Sequence, residues 1–343
     1  MSEIAEPYLI PAPPPARADR VLIIKLSALG DFVQALGVAK MIRDYHVGAR
    51  VTLLTTEAFE AFANACPYFD IVEADGRTGE AAKTAQLLAR LRSARFDVVY
   101  DLQTNDRSGF YFQAMRPWPP LWSGIAQGCS HPHANPDRES LHTLDRHFDQ
   151  LRYAGYDLEE GQPGPLPSVT WVRRALRDPP RLQPEFFGIK APYVLIVPGA
   201  SAGHPEKRWP AEKYAELAGR IAARGLMPVV VGGVEEREIG AFIAAKERRA
   251  KIIVSRTDLF QLAALAERAA GAVGNDTGPM HLAAAAGCPC VVLFSRNSNP
   301  DRVAPRGLGG VLSILAPDFA ELDPAQVEQA LSNVGAFSQN RLA

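Results

Sequence analysis

Short apolar runs alternate with longer stretches of helical periodicity along the first half of the chain. Short apolar runs suit buried strands, and apolar positions three or four residues apart suit one face of a helix. The predicted elements are strand 20–26, helix 31–45, strand 51–54, helix 57–65, strand 70–73, helix 78–94, strand 96–102, helix 107–115 and helix 140–153. The nearly continuous apolar run at 96–102 indicates a strand that helices cover on both faces.

A second series of the same kind follows a Pro- and Gly-rich stretch at 159–191, which indicates a domain junction. Its predicted elements are a short helix 169–177, strand 193–197, helix 211–224, strand 227–231, helix 235–246, strand 252–255, helix 258–269, strand 271–274, helix 277–286 and strand 290–294. Two such series predict an α/β protein with two doubly wound, Rossmann-like domains. Sheets of this kind bind ligands beyond the carboxyl ends of their strands, so two that face each other would form a central cleft.

The predicted domain boundaries follow from these two series. Residues 1–18 are a Pro-rich arm that we expect to be disordered. Residues 19–170 form the first domain, 171–192 the linker, and 193–343 the second domain. This division leaves the C-terminal helix able to pack back on the first domain.

Composition and charge exclude several classes of protein. The 343 residues include 37 Lys and Arg against 38 Asp and Glu, for a net charge of −1. This balance argues against a nucleic-acid partner. No apolar run reaches the ~18–20 residues that cross a bilayer, and the acidic start lacks the pattern of a signal peptide. We therefore expect a cytoplasmic protein.

The cysteines and nearby histidines predict neither disulfides nor a metal site. The four cysteines are too few and too irregularly spaced for a disulfide framework. Cys129 lies close to His131 and His133, but no second ligand pair matches them. We therefore expect reduced thiols and no bound metal.

The most informative motif lies where the strand at 271–274 gives way to a helix. Asp276, Thr277 and Gly278 occupy this junction, and His281 follows on the same helical face as Thr277. A helix N-terminus carries unpaired N–H groups and a partial positive charge, so it suits an anion such as a diphosphate. Alternatively, Asp276 only caps the helix and His281 is a packed core residue.

Two further motifs follow the first strand of each predicted domain. In the first domain, Gly30 permits a tight turn and Asp31 begins the next helix, either as a functional carboxylate or as its N-cap. In the second domain, the small residues of 199–203 would let a ligand approach the backbone. Ser201 could donate to a phosphate and Lys207 supplies charge beside it, unless that lysine is simply solvated. Neither loop is a dinucleotide fingerprint or a Walker loop.

Polar residues also follow two other predicted strands. Glu235 comes after the strand at 227–231, where a carboxylate can accept from ribose hydroxyls or merely complement a helix N-terminus. Asp101 lies at the end of the strand at 96–102, and Gln103 and Arg107 come after it, at the same edge of the first sheet as Asp31. We expect these groups to line the cleft.

Together these motifs resemble the glycosyltransferase family, known as family 9, that includes the ADP-heptose:lipopolysaccharide heptosyltransferases. The resemblance runs from Arg20 to Arg306 and rests on four ordered motifs. These are Val21 to Asp31, Asp101 to Ser108, Lys207 to Pro210, and Asp276 to His281. Each motif lies at the end of a predicted strand, and the four together in this order are more specific than any one of them.

The resemblance implies a GT-B fold and an inverting sugar transfer that uses no metal or other cofactor. It implies that Asp31 is the general base and that Lys207, Thr277 and Gly278 hold the diphosphate of the donor. The donor would be an ADP-linked sugar, heptose in the family's best-known members. The remaining assignments are Glu235 to the nucleoside, Asp276 and His281 to the sugar or its phosphates, Ser201 to the donor, and Asp101, Gln103 and Arg107 to the acceptor side.

Two other functions stay open at this stage. A nucleotide-sugar epimerase or hydrolase can use the same two-domain fold, and a nucleotide-sugar-binding protein can lack catalysis altogether. The leading prediction is a transferase whose acceptor is lipid-linked or an oligosaccharide, such as a lipopolysaccharide core. A lipid-linked acceptor would bring the protein to the inner face of the inner membrane, through Arg90, Arg92, Arg95 and Arg107 of the first domain. These arginines could equally be solvated.

Overall fold

A computed structural model describes residues 10–76, 80–190, 192–200 and 205–338. The chain divides into two compact units. The first contains the described residues up to Ser27 and from Ala35 to Pro165, and the second contains 28–34 and the residues from Leu166 onward. The start of the helix that follows the first strand thus belongs to the second unit. The boundary at 165 and 166 lies a few residues before the predicted one.

The first unit is built on a parallel sheet. Its order is β3-β2-β1-β4-β5-β6, so the order reverses between β1 and β4. The strands are β1 (Arg20–Ile24), β2 (Arg50–Thr56), β3 (Ile71–Asp75), β4 (Val98–Asp101), β5 (Leu121–Gly124) and β6 (His131–Pro132). The sequence pattern did not predict β5 and β6, although Trp122 of β5 is fully buried against Phe112.

Helices follow β1, β2, β3, β4 and β6, as the periodicity predicts. They are α1 (Leu29–Tyr45), α2 (Glu57–Asn64), α3 (Ala81–Ser93), α4 (Asp106–Ala114) and α5 (Thr143–Tyr153). Leu87 and Leu91 of α3 are buried in the same core as Leu22 and Val99 of the sheet. The helix predicted at 140–153 begins at Thr143, because the His142 side chain accepts a hydrogen bond from Leu144 N–H and caps it.

The second unit repeats this architecture. Its sheet has the order β12-β11-β10-β7-β8-β9, which reverses between β7 and β10. The strands are β7 (Tyr193–Val197), β8 (Met227–Val230), β9 (Lys251–Ile252), β10 (Gly271–Asn275), β11 (Cys290–Ser295) and β12 (Val311–Ala316). All of the pairings are parallel. The predicted fold class of two doubly wound α/β units is therefore confirmed.

The second unit has its own set of helices. They are α6 (Trp171–Ala175), α7 (Ala211–Ala223), α8 (Arg237–Lys246), α9 (Leu259–Arg268), α10 (Gly278–Ala285), α11 (Pro300–Val303) and α12 (Pro324–Asn333). Val327 and Leu331 of α12 are buried in the core of this unit, so α12 packs on the core of its own unit. The stretch predicted as a linker also packs here, since α6 and the 3₁₀ helix Pro180–Leu182 contact α9.

The described part of the Pro-rich arm contacts the first unit. Pro14 O accepts a hydrogen bond from the Tyr45 hydroxyl at 2.9 Å. Ala12 O lies 3.1 Å from His131 Nε2, and Ala18 is buried. Residues 10–18, part of the arm that the sequence predicts to be disordered, thus contact the first unit; residues 1–9 lie outside the described part of the chain.

Helices that could span a membrane are not found in the part of the chain that the structure covers. Its helices lack the combination of length and apolar content that a bilayer crossing requires.

Gly274 in β10 has no free space for a side chain. A Cβ there would lie 2.5 Å from Val197 O and 3.0 Å from Met280 Sδ. Gly274→Ala should therefore lower the free energy of unfolding by about 2 kcal/mol, the cost of overpacking a rigid core. Urea unfolding measures it. Gly219→Ala in α7 is the control, because its Cβ would make ordinary contact at 3.6 Å, and it should be neutral or stabilising. Equal effects of the two substitutions would contradict this packing.

Candidate active site

Charged and polar side chains converge at the carboxyl ends of β7, β10 and β11, at the point where the strand order of the second unit reverses. Asp276 directly follows β10, and its Oδ2 lies 3.2 Å from Lys207 Nζ. Ser298, in the loop after β11, donates to the same oxygen at 3.0 Å. The Lys207 and Asp276 side chains remain 22% and 12% exposed. The structure thus brings together two predicted site residues that lie 69 positions apart and adds Ser298, which the motifs did not indicate.

Thr277, rather than Asp276, is the N-cap of α10. Its backbone is extended (φ −154°, ψ 155°), and its side chain makes no capping hydrogen bond. Met280 N–H already donates to Thr277 O at 3.0 Å, and Pro279 has no N–H. The amides of Thr277 and Gly278 are therefore the ones that the start of α10 can offer to an anion beside Lys207.

Asn275 is the residue that holds this site together, and sequence reasoning missed it. It is fully buried. Its Oδ1 accepts hydrogen bonds from the backbone N–H of Trp209 at 3.1 Å and from the Tyr214 hydroxyl at 2.9 Å. Its Nδ2 donates to Pro198 O at 2.8 Å and to Gly199 O at 3.2 Å. One side chain thereby fixes both ends of the loop that carries Lys207.

Removing this amide should destabilise the second unit. Asn275→Ala leaves a buried N–H and a buried hydroxyl without their acceptor, so we expect a loss of about 2 kcal/mol in the free energy of unfolding. Tyr214→Phe removes only one of these hydrogen bonds and should cost about 1 kcal/mol. Thermal unfolding compares the two variants. A smaller cost for Asn275→Ala than for Tyr214→Phe would contradict the bridging role.

The glycine-rich turns after β7 and β8 pack around a carboxylate. Glu236 is buried and accepts a hydrogen bond from Gly233 N–H at 2.7 Å. A Cβ on Gly199 would lie 2.8 Å from its carboxyl carbon. Glu235, the predicted nucleoside contact, instead points outward; it is 56% exposed and lies 3.2 Å from Arg208. Its position allows a ligand contact, whereas Glu236 has a structural role. Ser201 lies outside the described residues.

Asp31 lies in the first turn of α1, within the stretch that belongs to the second unit. Its Oδ2 accepts a hydrogen bond from Ala28 N–H at 3.2 Å, as a residue in the third helical position can. The helix begins at Leu29, so Asp31 is not its N-cap. The carboxylate is partly exposed and combines a helix-starting contact with access to solvent.

His281 packs against the start of α1. It is buried, and its Nδ1 lies 3.2 Å from Gln34 Nε2. A Cβ on Gly30 would approach its ring to within 2.7 Å, so only glycine fits there. Likewise, a Cβ on Gly278 would lie 2.7 Å from Leu29 Cβ. His281 is therefore a packed residue in this structure, and its contact with a sugar stays a prediction.

In the first unit, the polar residues after β4 organise the loop after β1. Gln103 Oε1 accepts hydrogen bonds from Leu26 N–H at 2.8 Å and Ser27 N–H at 3.3 Å. Asp101 is fully buried, and its Oδ1 accepts from Gln103 N–H at 3.1 Å and Thr104 N–H at 2.9 Å. Burial raises the pKa of Asp101 to about 6, although these N–H groups oppose the rise. Asp101 thus supports the turn through buried hydrogen bonds, and its carboxylate is not exposed to solvent.

A buried polar network that the sequence did not predict lies beneath this turn. Lys25 Nζ donates to Leu102 O at 3.0 Å and lies 3.5 Å from His147 Nε2. Burial, with Lys25 nearby, lowers the pKa of His147 well below its usual value. The neutral ring can therefore accept a hydrogen bond from the Lys25 ammonium. Gln150 Nε2 donates to Asp101 O at 3.1 Å. These contacts fix the edge of the sheet that carries Gln103.

Arg107, which the sequence predicts on the acceptor side, is paired with a carboxylate in the structure. Its Nε and Nη2 each lie 2.5 Å from an oxygen of Asp75, the last residue of β3, and the Tyr111 hydroxyl donates to the same carboxylate. The side chain keeps 35% exposure. Arg107 therefore holds α4 to β3, and any acceptor contact would have to share its guanidinium with Asp75.

Cys129, His131 and His133 do not converge on one point. Cys129 Sγ is 3.8 Å from Gly124 O, while His131 contacts Ser130 and the arm. His133 Nε2 lies 2.8 Å from Asp149, and burial lowers its pKa. The described residues contain no group of three or more acidic, histidine or cysteine side chains placed to hold a metal ion.

Comparison with known proteins places this site in a family. Residues 84–310, more than half of the chain, match the family model for glycosyltransferase family 9 (heptosyltransferase). Lipopolysaccharide core heptosyltransferase OpsX of Haemophilus influenzae is 24% identical over 307 residues, which cover 85% of this chain and 83% of that protein.

Solved structures agree on the fold. A glycosyltransferase of family 9 from Veillonella parvula superposes with a TM-score of 0.77 at 19% identity, covering 92% of this chain and 97% of that one. Heptosyltransferase WaaC of Escherichia coli, solved with ADP, gives a TM-score of 0.73 at 20% identity over 92% of this chain and 99% of that one. The chain therefore belongs to glycosyltransferase family 9, the heptosyltransferase family, and is a glycosyltransferase of the GT-B fold, as the four motifs indicated.

Proposed function

We propose that this enzyme transfers a heptosyl group from ADP-heptose to a lipopolysaccharide core or another surface glycan. The observation that carries the proposal is the Lys207–Asp276 pair at the start of α10, a cation and a helix N-terminus side by side at the carboxyl edge of the sheet. Such a pair suits a sugar diphosphate. The relative OpsX acts on a lipopolysaccharide core, and WaaC was solved with ADP.

The proposed reaction is a single displacement that inverts the anomeric carbon. An acceptor hydroxyl oxygen forms the new bond to the anomeric carbon while the bond from that carbon to the β-phosphate oxygen breaks. Asp31 takes the hydroxyl proton, and ADP leaves with the bonding electron pair. Asp31 suits this part because a carboxylate oxygen can accept a proton and the residue is partly exposed at the first turn of α1.

Charge on the leaving diphosphate is the second requirement of this reaction. Lys207 and the amides of Thr277 and Gly278 would stabilise that charge, the role that a divalent cation plays in many other nucleotide-sugar enzymes. In the structure Lys207 lies against Asp276, so a bound diphosphate would draw the ammonium toward itself while Ser298 keeps its hydrogen bond to Asp276. Asp276 would then position Lys207 rather than bind phosphate directly.

The remaining roles follow from where each side chain lies. Glu235 is exposed beside the turn after β8, where it would accept from ribose hydroxyls. Ser201 would donate to the donor from the loop that Asn275 holds at both ends. In the first unit, Gln103 and Asp101 would shape the acceptor side by fixing the loop after β1, and Arg107 would contribute charge while it remains paired with Asp75.

Nucleotide binding tests the donor half of this proposal. Thermal unfolding is measured with ADP, GDP, UDP, CMP and dTDP, for the wild type and for Lys207→Ala and Asp276→Ala. A ligand at 100 times its Kd adds about 2.7 kcal/mol to the free energy of unfolding. We expect stabilisation by ADP above the others, and its loss in both variants. Preference for another nucleotide would contradict the ADP-linked donor, and no response to any of them would contradict a donor site.

A further inference from the structure

Trp118 is an exposed tryptophan in a rigid setting. Its side chain is 88% exposed, whereas Trp122 and Trp209 are buried. It lies in the turn between α4 and β5, with Pro117 before it and Pro119 and Pro120 after it. Prolines fix their own backbone angles, so the turn presents the indole with little conformational freedom to lose. A tryptophan held in water in this way suits an interface that is apolar on one side.

Three arginines surround this tryptophan. Arg92, Arg95 and Arg116 line one pocket of about 470 Å³ together with Trp118. Within the described part of the chain, none of the three lies within 4.0 Å of a carboxylate oxygen. The basic residues that the sequence grouped here thus separate into two sets, because Arg90 and Arg107 are paired with Glu73 and Asp75.

Two of the three guanidinium groups contact neutral partners. Arg92 Nε donates to Ala114 O at 2.6 Å. The Arg116 guanidinium lies 5.5 Å from the centre of the Phe112 ring. Arg95 has a left-handed backbone (φ 50°) just after α3. The contacts of Arg92 and Arg116 are with uncharged groups, so they do not neutralise the positive charge of this pocket.

We propose that this Trp118 surface, made of Arg92, Arg95, Arg116 and Trp118, docks the enzyme on an anionic membrane. The arginines would bind lipid phosphates while the indole enters the headgroup layer, the depth at which tryptophan concentrates in membrane proteins. The pocket floor supplies apolar contact through Leu91 and Phe96. The proposal rests on the proposed function only in that a lipid-linked acceptor would bring the enzyme to a membrane.

The Trp118 surface and the acceptor-side residues lie at opposite ends of the strands of the first sheet. Arg95 precedes β4 and Trp118 precedes β5, so the surface lies at the amino ends of these strands. Gln103 and the turn over Asp101 lie at their carboxyl ends. Changes to the Trp118 surface should therefore alter membrane binding and leave turnover of a lipid-free acceptor unchanged.

Vesicle flotation tests the proposal without requiring turnover. The full-length protein is mixed with vesicles of phosphatidylcholine alone, or with 30% phosphatidylglycerol, at about 0.1 M salt. We expect binding to the anionic vesicles only. Arg95→Asn with Arg116→Gln should weaken it by more than tenfold, at about fivefold for each guanidinium. Asn is chosen at 95 because it tolerates a left-handed backbone. Trp118→Ser should weaken vesicle binding as well. In a separate measurement, brominated lipids should quench the tryptophan fluorescence of the wild type but not that of Trp118→Phe.

Matched variants elsewhere on the surface control for charge and apolar area. Arg237→Gln with Arg248→Gln removes two exposed arginines from the second unit, and Phe186→Ser removes a ring that is 58% exposed. Both should bind vesicles as the wild type does. The proposal is overturned if the wild type ignores anionic vesicles, if the Arg95 and Arg116 variant binds like its control, or if glycerophosphate at the same phosphate concentration releases the protein. The last result would indicate a small-anion site instead of a membrane surface.

Discussion

Replacing Asp31 by Asn is expected to lower kcat by about 10³-fold or more, while nucleotide binding stays within about twofold of the wild type. In the proposed reaction this carboxylate takes the proton of the acceptor hydroxyl, and an amide cannot do so. Asn keeps an oxygen that can accept from Ala28 N–H, so the start of α1 should be preserved. Turnover is measured as ADP release, and binding as thermal stabilisation by ADP.

A purely structural role for Asp31 predicts a different pattern. The control is Asp258→Asn, which changes a carboxylate that caps α9 through Gln261 N–H in the same unit. Asn is also a good N-cap, so the control should retain both turnover and stability. Loss of ADP stabilisation together with turnover in Asp31→Asn would mean that the carboxylate only holds the helix, and it would contradict its assignment as the base.

Replacing Lys207 by Met is expected to lower kcat/KM for the donor by 10²–10³-fold, the usual cost of removing one group that stabilises developing negative charge. Met has a similar length and no charge, so the loop after β7 should keep its packing. Asp276 would keep the hydrogen bond from Ser298. Steady-state kinetics with varied donor measure the effect, and Lys246→Met in α8 removes an exposed cation away from the site as its control.

The chemistry proposed for Lys207 also predicts which ligand is affected. Affinity for ADP should fall more than affinity for adenosine, because only ADP carries the diphosphate. Lys207→Arg should recover part of the loss, since it restores a positive charge near Asp276. An equal loss of affinity for ADP and adenosine would show that Lys207 supports the nucleoside pocket, which would contradict its contact with the leaving group.

Much of the second unit follows from local sequence. The run at 193–197 has strong strand character between two prolines, Pro192 and Pro198, and β7 has those bounds. The Asp276 motif gives a strand end and a helix start because its residues have clear local preferences. The chain order of these elements brings Asp276 and Lys207 to one edge of a doubly wound sheet, and their observed distance of 3.2 Å agrees with it.

Long-range pairing explains most of what the sequence did not predict. Strand β5 has only four residues, and its place depends on pairing with β4. Arg107 is indistinguishable from a solvated arginine until Asp75, 32 residues away, is seen beside it. Asn275 carries no local signal either, since its four hydrogen bonds go to residues at least 61 positions distant. The polar loop after β11 was a usable signal for Ser298, because it follows a buried strand at the same edge as Asp276.

The most direct test of the account is the dependence of donor consumption on an acceptor. ADP-heptose is incubated with the enzyme, with or without a lipopolysaccharide core that lacks heptose, and ADP and glycoside are quantified together. We predict equal amounts of ADP and new glycoside, formed only when the acceptor is present. ADP release at the same rate without acceptor, or conversion of the donor sugar to an epimer, would contradict a glycosyl transfer from this site.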